Sequence, residues 1–406
     1  MHISQLSLTN FRIYRHLETT LPIGHLILVG SNAQGKTSLL EAVHYLAGAH
    51  SPHKGSHRQL IHWLAVQEDS QPYLRICADV VFKNETRKVD IRLQIDKSNI
   101  EREPRLTKHV LVDGLKIKVS SLSGVVNVVM FLPQNMVLVE GSPRDRRSYL
   151  DTTISQVDSV YARAVRDYAK VLVQRNALLK KLQERKDNML EELEFWDEHL
   201  CVKGSIVVAR RARALSEIQD YATKIHEELT TKSEHLQLKY YPSYDFNQNR
   251  GDQLSLGLDI SSADSTVSED DLAAGMRENI VRLRSEEKRR GMTLVGPHRD
   301  DFRFEVSGVD LSMFGSRGQA RTGVLALKFA EMEWMRDRSG EWPILLLDEV
   351  LAELDPQRRR DMLQRVNEAE QVIMTTTDLS MIPERPRAQA CIWNVSKGTL
   401  EPDKLY

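Results

Sequence analysis

The sequence predicts an α/β protein in which a mixed sheet with a parallel P-loop core is interrupted by an inserted helical arm domain. An apolar strand, "HLILVG", leads into the turn "GSNAQGKT" and then into a helix, which is the order of a P-loop. Residues 144–203 lack glycine and proline and repeat apolar residues at helical spacing, which predicts long amphipathic helices. From residue 318 onward helix and strand alternate, which indicates a parallel sheet.

Length and composition are typical of a soluble globular protein with two or three domains. The chain has 406 residues, of which 41% are hydrophobic and 28% charged, and its net charge is -1. Any affinity for a polyanion must therefore come from local basic patches. We expect a cytoplasmic protein without a membrane partner. The sequence has three widely spaced cysteines, no apolar N-terminal segment and no long apolar window.

Residues 1–145 are predicted to form the first part of the sheet-containing domain. "HISQLSLTNF" alternates like a strand, "HLILVG" indicates a buried strand, and "KTSLLEAVHYLAG" indicates a helix that ends at Gly48. Residues 72–140 contain further alternating stretches, the last of which is "VNVVMFL". They predict an antiparallel sheet beside the P-loop.

Residues 146–290 are predicted to be the helical arm, and residues 291–406 are predicted to return to the first domain. Glycine and proline are absent from 205–241 as well as from 144–203, so we expect two or more long helices. A polar, turn-rich segment with an acidic loop near 261–271 precedes a helix at 272–290. The returning part should contain a helix at 318–338, the strand "WPILLLDEV", a helix at 356–369 and the strand "QVIMTTTD".

The turn "GSNAQGKT" at 30–37 fits the pattern G-x-x-x-x-G-K-[ST]. Its terminal glycines allow backbone N–H groups to wrap a phosphate, and Lys36 would supply a positive charge to the β- and γ-phosphates. Thr37 would offer its hydroxyl to Mg²⁺. A plain glycine turn is the alternative, but the strand before it and the helix after it favour a nucleotide site.

Two acids follow the apolar strand in "PILLLDEVLAELD" at 343–355. Ligands of a parallel sheet bind at the carboxyl ends of its strands, which is where these acids stand. Asp348 would hold Mg²⁺ directly or through water, and Glu349 would polarise a water for attack on the γ-phosphate. If the P-loop is not considered, an ordinary strand end explains the two acids equally well.

A second turn with the features of a phosphate-binding helix start occurs far along the chain, in "FGSRGQARTGVLALKFAEMEW" at 314–334. Ser316, Gly318 and Gln319 precede a strongly helical stretch. The serine hydroxyl and the free N–H groups of a helix start could hold a phosphate without a lysine. An ordinary capped helix explains the same residues, and both interpretations remain open at this point.

Basic clusters are scattered over the chain and predict either solvated faces or contacts with a DNA backbone. Few aromatic residues lie among them, which favours duplex backbone contact over base stacking. His298, in "GPHRDD", is interpreted as a hydrogen-bonded loop residue, with a metal site or a nucleotide- or DNA-proximal role as alternatives. The candidate DNA contacts are Arg144, Arg146, Arg147, Arg210 and Arg211.

The order of P-loop, glutamine loop, Ser-x-Gly-Gln helix, Asp-Glu strand and "AELD" resembles the ABC-type ATPases, and within them the SMC-like branch. "LSLTNFRIYRHLE" is similar to the opening strand of that branch. "FLPQNMVLVEGSPRDRRSYLD", "GPHRDDF" and the helix running into "ALKFAE" resemble a bacterial recombination mediator within it. The resemblance spans nearly the whole chain and implies an ABC-type ATPase head with ATP and Mg²⁺ as cofactors.

The resemblance also implies a role for individual residues. Arg12 would approach the nucleotide phosphates, Gln134 would sense Mg²⁺ and the attacking water, and Asp355 would lie in a loop that crosses to a partner subunit. Thr377 and Asp378 stand where transporter-type relatives have a switch histidine, which implies slow hydrolysis. The implied sets are catalytic Glu349, Gln134 and Lys36; ATP-binding Gly30, Ser31, Asn32, Ala33, Gln34, Gly35, Lys36, Thr37, Ser38 and Arg12; a signature turn of Ser316, Gly318 and Gln319 on the partner's ATP; and Mg²⁺ ligands Thr37, Asp348 and Gln134.

The implied function is a weak, DNA-stimulated ATPase whose ATP-driven homodimer clamps duplex DNA near single-strand gaps. It would help mediator proteins such as RecR to load the recombinase RecA. A transporter ATPase subunit is one alternative, disfavoured by the helical insert and the missing histidine. A long-armed SMC chromosome protein is another, but a straight helix of some 60 residues reaches only about 90 Å. A P-loop metabolic kinase would not explain the Ser-x-Gly-Gln turn.

Overall fold

A computed structural model describes residues 1–53, 55–83, 85–96, 105–184, 190–231, 233–244 and 268–403. The predicted acidic loop falls outside these residues as far as residue 267. The chain divides into two compact units, which we call the head unit (Met1–Asn135 with Glu331–Tyr406) and the arm unit (Met136–Ala330). The sequence-based domain boundaries at 145/146 and 290/291 stay predictions, because compact units and functional domains need not share boundaries.

The strands agree with most of the alternating or apolar stretches of the sequence. They are β1 (His2–Phe11), β2 (Tyr14–Thr20), β3 (Gly24–Val29), β4 (Tyr73–Phe82), β5 (Glu85–Asp96), β6 (Arg105–Val112), β7 (Leu115–Ile117), β8 (Val128–Phe131), β9 (Leu236–Tyr241), β10 (Asp301–Val306), β11 (Val309–Asp310), β12 (Ile344–Asp348), β13 (Gln371–Thr376), β14 (Cys391–Ser396) and β15 (Thr399–Pro402).

The helices include long ones in the glycine-free stretches and short ones at strand ends. They are α1 (Lys36–Gly48), α2 (Trp63–Glu68), α3 (Val137–Glu140), α4 (Pro143–Val157), α5 (Ser159–Glu184), α6 (Leu190–Leu229), α7 (Glu269–Arg290), α8 (Leu311–Phe314), α9 (Arg317–Ser339), α10 (Pro356–Val366) and α11 (Glu384–Ala388). None of the helices in the described ranges has the length and apolar character that crossing a membrane requires.

The head unit contains two six-stranded sheets. The first is antiparallel, in the order β2-β1-β4-β5-β6-β7. The second has the order β15-β14-β3-β13-β12-β8, and its strands are parallel except for β15 at the edge. Every residue of β12 is buried, as expected for a central parallel strand that is covered on both faces.

Strand β8 corrects one prediction. "VNVVMFL" was expected in the antiparallel sheet, but β8 pairs in parallel with β12 at the edge of the P-loop sheet. All its residues are buried, so its apolar run is that of a parallel-sheet strand and does not alternate. As a result, the segment after β8 lies at the same sheet edge as the end of β12.

The arm unit combines α4–α7 with a small sheet in the order β11-β10-β9. A buried ionic cluster joins its helices. Arg175 on α5 is fully buried, and its guanidinium donates to Asp197 at 2.6 Å, to Glu287 at 2.6 Å and to Thr293 at 2.8 Å. Strand β9 corrects a second prediction: residues 236–241 were assigned to the glycine-free helical stretch, yet they pair antiparallel with β10.

Candidate nucleotide site

The P-loop connects β3 to α1 at the carboxyl edge of the parallel sheet, as the sequence predicts. Gly30 passes so close to β14 that a Cβ there would stand 2.4 Å from the carbonyl oxygen of Val395. Gly35 has φ +116°, a conformation that residues with a Cβ rarely adopt. The Tyr14 hydroxyl donates to the Gly35 carbonyl oxygen at 2.9 Å, so the opening strands fix the loop from outside.

Lys36 is the cation of this loop. Its side chain is only 4% exposed, and its Nζ donates to the carbonyl oxygens of Gly30 at 2.6 Å and Ser31 at 3.1 Å. The same Nζ forms an ion pair with Glu349 Oε1 at 3.1 Å. The ammonium therefore lies among backbone carbonyls and one carboxylate, inside the turn where a phosphate chain would be wrapped.

Asp348 and Thr37 meet as the two-part motif predicts. The Thr37 hydroxyl donates to Asp348 Oδ1 at 2.9 Å, and the carboxylate is buried. The Thr375 hydroxyl donates to the same oxygen at 2.8 Å and accepts the backbone N–H of Glu349 at 3.0 Å. Sequence reasoning missed Thr375, although its position in "QVIMTTTD" could have indicated it: parallel pairing of the two predicted strands sets Thr375 beside Asp348.

Glu349 has a strained backbone. Its φ of +52° is left-handed, which costs a residue with a Cβ about 1–2 kcal/mol. The side chain is 37% exposed and lines a cavity of about 280 Å³. Strain of this kind concentrates at functional sites, where surrounding structure holds it in place. The lining residues are Ile13, Asn32, Ala33, Gly35, Lys36, Thr37, Ser38 and Glu349.

Other residues of the predicted loop contribute backbone and side-chain contacts to the same edge. Gln34 accepts the Lys397 N–H through Oε1 at 2.8 Å and the Gly398 N–H through its carbonyl oxygen at 3.0 Å. Gln134 lies in an exposed turn after β8, whose Phe131 is in register with Leu347. The glutamine therefore follows a strand that ends beside Asp348.

Arg12 is engaged by partners other than the residues of the loop. Its guanidinium forms a bidentate pair with the buried Glu41 on α1, with both nitrogens 2.8 Å from the carboxylate, and donates to the Gln59 carbonyl at 3.1 Å. The pair anchors the turn between β1 and β2, which carries the lining residue Ile13 and also Tyr14. In this structure Arg12 therefore positions its neighbours, and a phosphate contact remains a prediction.

The signature turn lies in the arm unit and starts α9. Ser316 Oγ accepts the Gln319 N–H at 3.1 Å, while Gln319 Oε1 accepts the Ser316 N–H at 3.0 Å. This reciprocal pair is the capping box of an ordinary helix start. Ser316, Arg317 and Gly318 are exposed, so the start of the helix is accessible to solvent. Both interpretations of the turn fit the same geometry: it is a capped helix that could also receive an anion.

Asp355 and Asp378 both cap helical turns. Asp355 accepts the N–H groups of Gln357 and Arg358 at 3.0 Å each, and these bonds hold the pKa of its carboxyl below the usual range. Asp378 accepts the Ser380 N–H at 2.8 Å, and the preceding Thr377 is exposed. A contact between Asp355 and a partner subunit stays a prediction.

Two candidate DNA contacts are buried in ion pairs. Arg146 is buried and pairs with Asp301 at 2.6 Å, and Arg211 is buried against Asp151 at 2.7 Å and the Pro297 carbonyl at 2.7 Å. Both guanidinium groups are therefore engaged inside the arm unit in this structure, and a contact of either with DNA stays a prediction.

The other three arginines differ in exposure. Arg147 is half-buried and donates to the Asp300 carbonyl at 2.6 Å. Arg210 pairs with Asp158 at 2.5 Å, with 35% of its side chain exposed. Arg144 is exposed at the start of α4. Of the five candidates, Arg144 therefore has the surface position that a phosphate contact needs.

His298 has the hydrogen-bonded loop role that its sequence context favoured. Its Nδ1 is 2.6 Å from the Tyr168 hydroxyl and its Nε2 is 3.3 Å from the Thr293 carbonyl oxygen. Burial lowers its pKa to about 4. No group of three or more His, Cys, Asp or Glu among the described residues could hold a metal ion. A site for Mg²⁺ at Thr37 and Asp348 would thus depend on phosphate and water for its remaining oxygens.

Together, the parallel P-loop sheet, the neighbouring antiparallel sheet and the helical arm are the parts of an ABC-type ATPase head with an inserted arm. The family model of the RecF/RecN/SMC N terminal domain matches residues 2–399. DNA replication and repair protein RecF of Chloroflexus aurantiacus is 39% identical, over 94% of each chain. RecF of Thermomicrobium roseum is 36% identical, over 99% of this chain and 100% of its own.

Comparison with solved structures indicates the same family as these sequence relatives. The recombination mediator protein RecF-ATPrS in the RecFOR pathway superposes with a TM-score of 0.82 at 26% identity, covering 99% of this chain and 98% of its own. The RecF-ATP structure gives 0.80 at 25% identity, covering 99% and 97%. The chain belongs to the SMC-like ATPases and, within them, to the RecF family of DNA replication and repair proteins. The fold class and the family predicted from sequence are confirmed.

Proposed function

We propose that this protein binds ATP and Mg²⁺ in the head unit and uses ATP to join two copies around duplex DNA during recombinational repair. The observation that carries the proposal is that Lys36, Thr37 and Glu349 line one cavity, while Asp348 accepts the hydroxyl of Thr37 beside it. The solved RecF relatives are described with ATP or ATPrS, which supports ATP as the nucleotide.

The cavity is suited to the phosphate chain. Its volume of about 280 Å³ lies just below the range of pockets that enclose whole ligands, so we expect the adenosine to extend beyond it. Lys36 would exchange its carbonyl and Glu349 contacts for the β- and γ-phosphates. Mg²⁺ bound by Thr37 and Asp348 would neutralise charge on the phosphates.

Hydrolysis then needs a base, and Glu349 is released for that role. Once the phosphates hold Lys36, the Glu349 carboxylate can accept a proton from a water. That water's oxygen bonds to the γ-phosphorus while the bond to the ADP oxygen breaks. Thr375 fixes the backbone of Glu349 during this step, and Gln134 would orient the water from the neighbouring strand.

The exposed signature turn supports a dimer. An exposed helix start attracts phosphate, and the head already has its own P-loop. We infer that Ser316, Gly318 and Gln319 bind the ATP held by a second copy, with Asp355 near the contact. Two such sites related by twofold symmetry close the dimer.

The proposed dimer would hold duplex DNA beside single-strand gaps, where mediators such as RecR help to load RecA. Membership of a DNA replication and repair family supports DNA as the partner. Exposed basic residues such as Arg144 would contact the phosphate backbone, so binding should weaken steeply as salt rises. DNA stimulation and a slow turnover belong to the same proposal.

Light scattering after size-exclusion chromatography tests the proposal, with and without ATP. We expect the wild type to double its mass with ATP, Lys36→Ala to stay monomeric and to lose tight ATP binding, and Glu349→Gln to bind ATP and remain a dimer on DNA. Ser316→Arg should bind ATP but stay monomeric. A Ser316→Arg variant that dimerises like the wild type would rule out the contact between copies.

A further inference from the structure

The side chain of Gln319 is fixed at both ends of its carboxamide. Its Oε1 accepts the Ser316 N–H at 3.0 Å, as described above, and its Nε2 donates to Glu234 Oε1 at 2.8 Å. A carboxamide with its donor and its acceptor both engaged cannot flip without losing both bonds. The conformation of the signature turn therefore depends on a residue that lies 85 positions earlier in the chain.

Glu234 lies in the connection between α6 and β9, and its side chain is 26% exposed. Its Oε2 is 3.9 Å from Nε2 of His226, a fully buried residue of α6. Burial lowers the pKa of His226, so the imidazole is neutral at neutral pH. The neutral imidazole therefore forms no ion pair that would compete with Gln319 for Glu234, and hydrogen bonds to carboxylates are stronger than those between neutral groups.

We propose that Glu234 is a positioning residue for the signature turn, which it holds in the form that receives the partner's ATP. The inference rests on the proposed function, because it assumes that the turn acts on the nucleotide of a second copy. It adds a residue of the arm that no motif contains and that has no part in the P-loop site.

The direction of the effect follows from preorganisation. With Gln319 held by Glu234, Ser316 and the first N–H groups of α9 are arranged before the partner arrives, so closing the dimer orders fewer groups. Without Glu234, the carboxamide of Gln319 would be free to rotate and the capping box would loosen. Dimerisation should weaken, whereas ATP binding to the head's own P-loop should not change.

Four single variants and one double variant separate this role from a general loss of structure. Glu234→Ala removes the acceptor, while Glu234→Gln retains an acceptor oxygen without the charge. Glu227→Ala is the matched control, because Glu227 is a nearby glutamate of α6 whose carboxylate lies 3.2 Å from His235 Nδ1 instead. Gln319→Ala, alone and combined with Glu234→Ala, tests whether Glu234 acts through Gln319.

The experiment measures two quantities for each variant: ATP binding at chain concentrations too low for dimers, and the dimer dissociation constant at saturating ATP. We expect Glu234→Ala to weaken the dimer about tenfold with unchanged ATP binding, the loss expected for one partly exposed hydrogen bond to a charge. Glu234→Gln should recover most of the affinity, Glu227→Ala should match the wild type, and the double variant should be no weaker than Gln319→Ala.

The outcomes separate this inference from the proposed function. A wild type that stays monomeric with ATP overturns both. A wild type that dimerises while Glu234→Ala dimerises equally well overturns the role of Glu234 alone. Equal losses of ATP binding and dimerisation in Glu234→Ala would also overturn it, because a positioning residue for the partner's ATP cannot weaken the chain's own P-loop.

Discussion

At the scale of single residues, the site depends on local motifs that a sequence shows and on neighbours that it does not. Lys36, Thr37, Asp348 and Glu349 could be predicted because each stands at a fixed place in a short motif. Thr375 could not be assigned from its own segment. Its contact with Asp348 exists because β13 pairs in parallel with β12, and that pairing is a property of the whole sheet.

Thr375→Val tests the role of that hydroxyl. The substitution leaves the Glu349 N–H and Asp348 without their shared partner, so Glu349, the proposed base, should lose its fixed position. We expect ATP affinity within about twofold of the wild type and phosphate release about tenfold slower, the loss expected for one hydrogen bond at the reacting site. Thr376→Val is the control, since its hydroxyl donates to the Asp378 carbonyl. Unchanged hydrolysis in Thr375→Val would contradict this role.

His298 makes stability sensitive to acid. Its pKa is about 4 in the folded chain, below the ordinary 6.5, so the unfolded chain binds the extra proton. Stability should therefore fall as pH drops from 6.5 towards 4, by up to about 3 kcal/mol from this residue. Urea unfolding of the wild type and His298→Gln at several pH values measures it. The variant should be less stable at pH 8 but lose less on acidification; equal losses would contradict the assignment.

At the scale of elements, helices and strands were largely predictable, and their partners were not. The stretches without glycine and proline correctly predicted long helices, since helical periodicity is local, although α6 continues through the Gly204 that separates them. The same rule wrongly extended helix over β9, because pairing with β10 overrides it. β8 was placed in the wrong sheet, since an apolar run does not specify its neighbour. Arg211 appeared as part of a basic cluster, but packing of α6 inside the arm buries it.

The ionic cluster around Arg175 should matter for the arm unit. Arg175→Met leaves the carboxylates of Asp197 and Glu287 buried without their shared cation, which typically costs about 3–5 kcal/mol. Arg213→Met is the control, because its pair with Glu217 is on the surface and should contribute under about 1 kcal/mol. Thermal unfolding followed by circular dichroism compares them. Equal midpoints for the two variants would show that the cluster adds little.

At the scale of the whole molecule, two turns that are distant along the chain belong to one proposed function. The P-loop belongs to the head unit and the signature turn to the arm unit. The motifs of both turns could be predicted from the sequence, and the resemblance to ABC-type ATPases implied a partner subunit. Glu234 could not be predicted, because its bond to Gln319 depends on the fold of the connection between α6 and β9. The proposed composite ATP site would explain why one chain carries both a P-loop and a signature turn.

Mixing two inactive variants tests that composite site most directly. Lys36→Ala lacks a working P-loop, and Ser316→Arg lacks a working signature turn. In a mixed dimer one site combines the intact P-loop of the second variant with the intact turn of the first. We predict that each variant alone releases almost no phosphate from ATP, and that an equal mixture recovers a substantial part of wild-type activity. A mixture as inactive as its components, from folded variants beside an active wild type, would contradict the central claim.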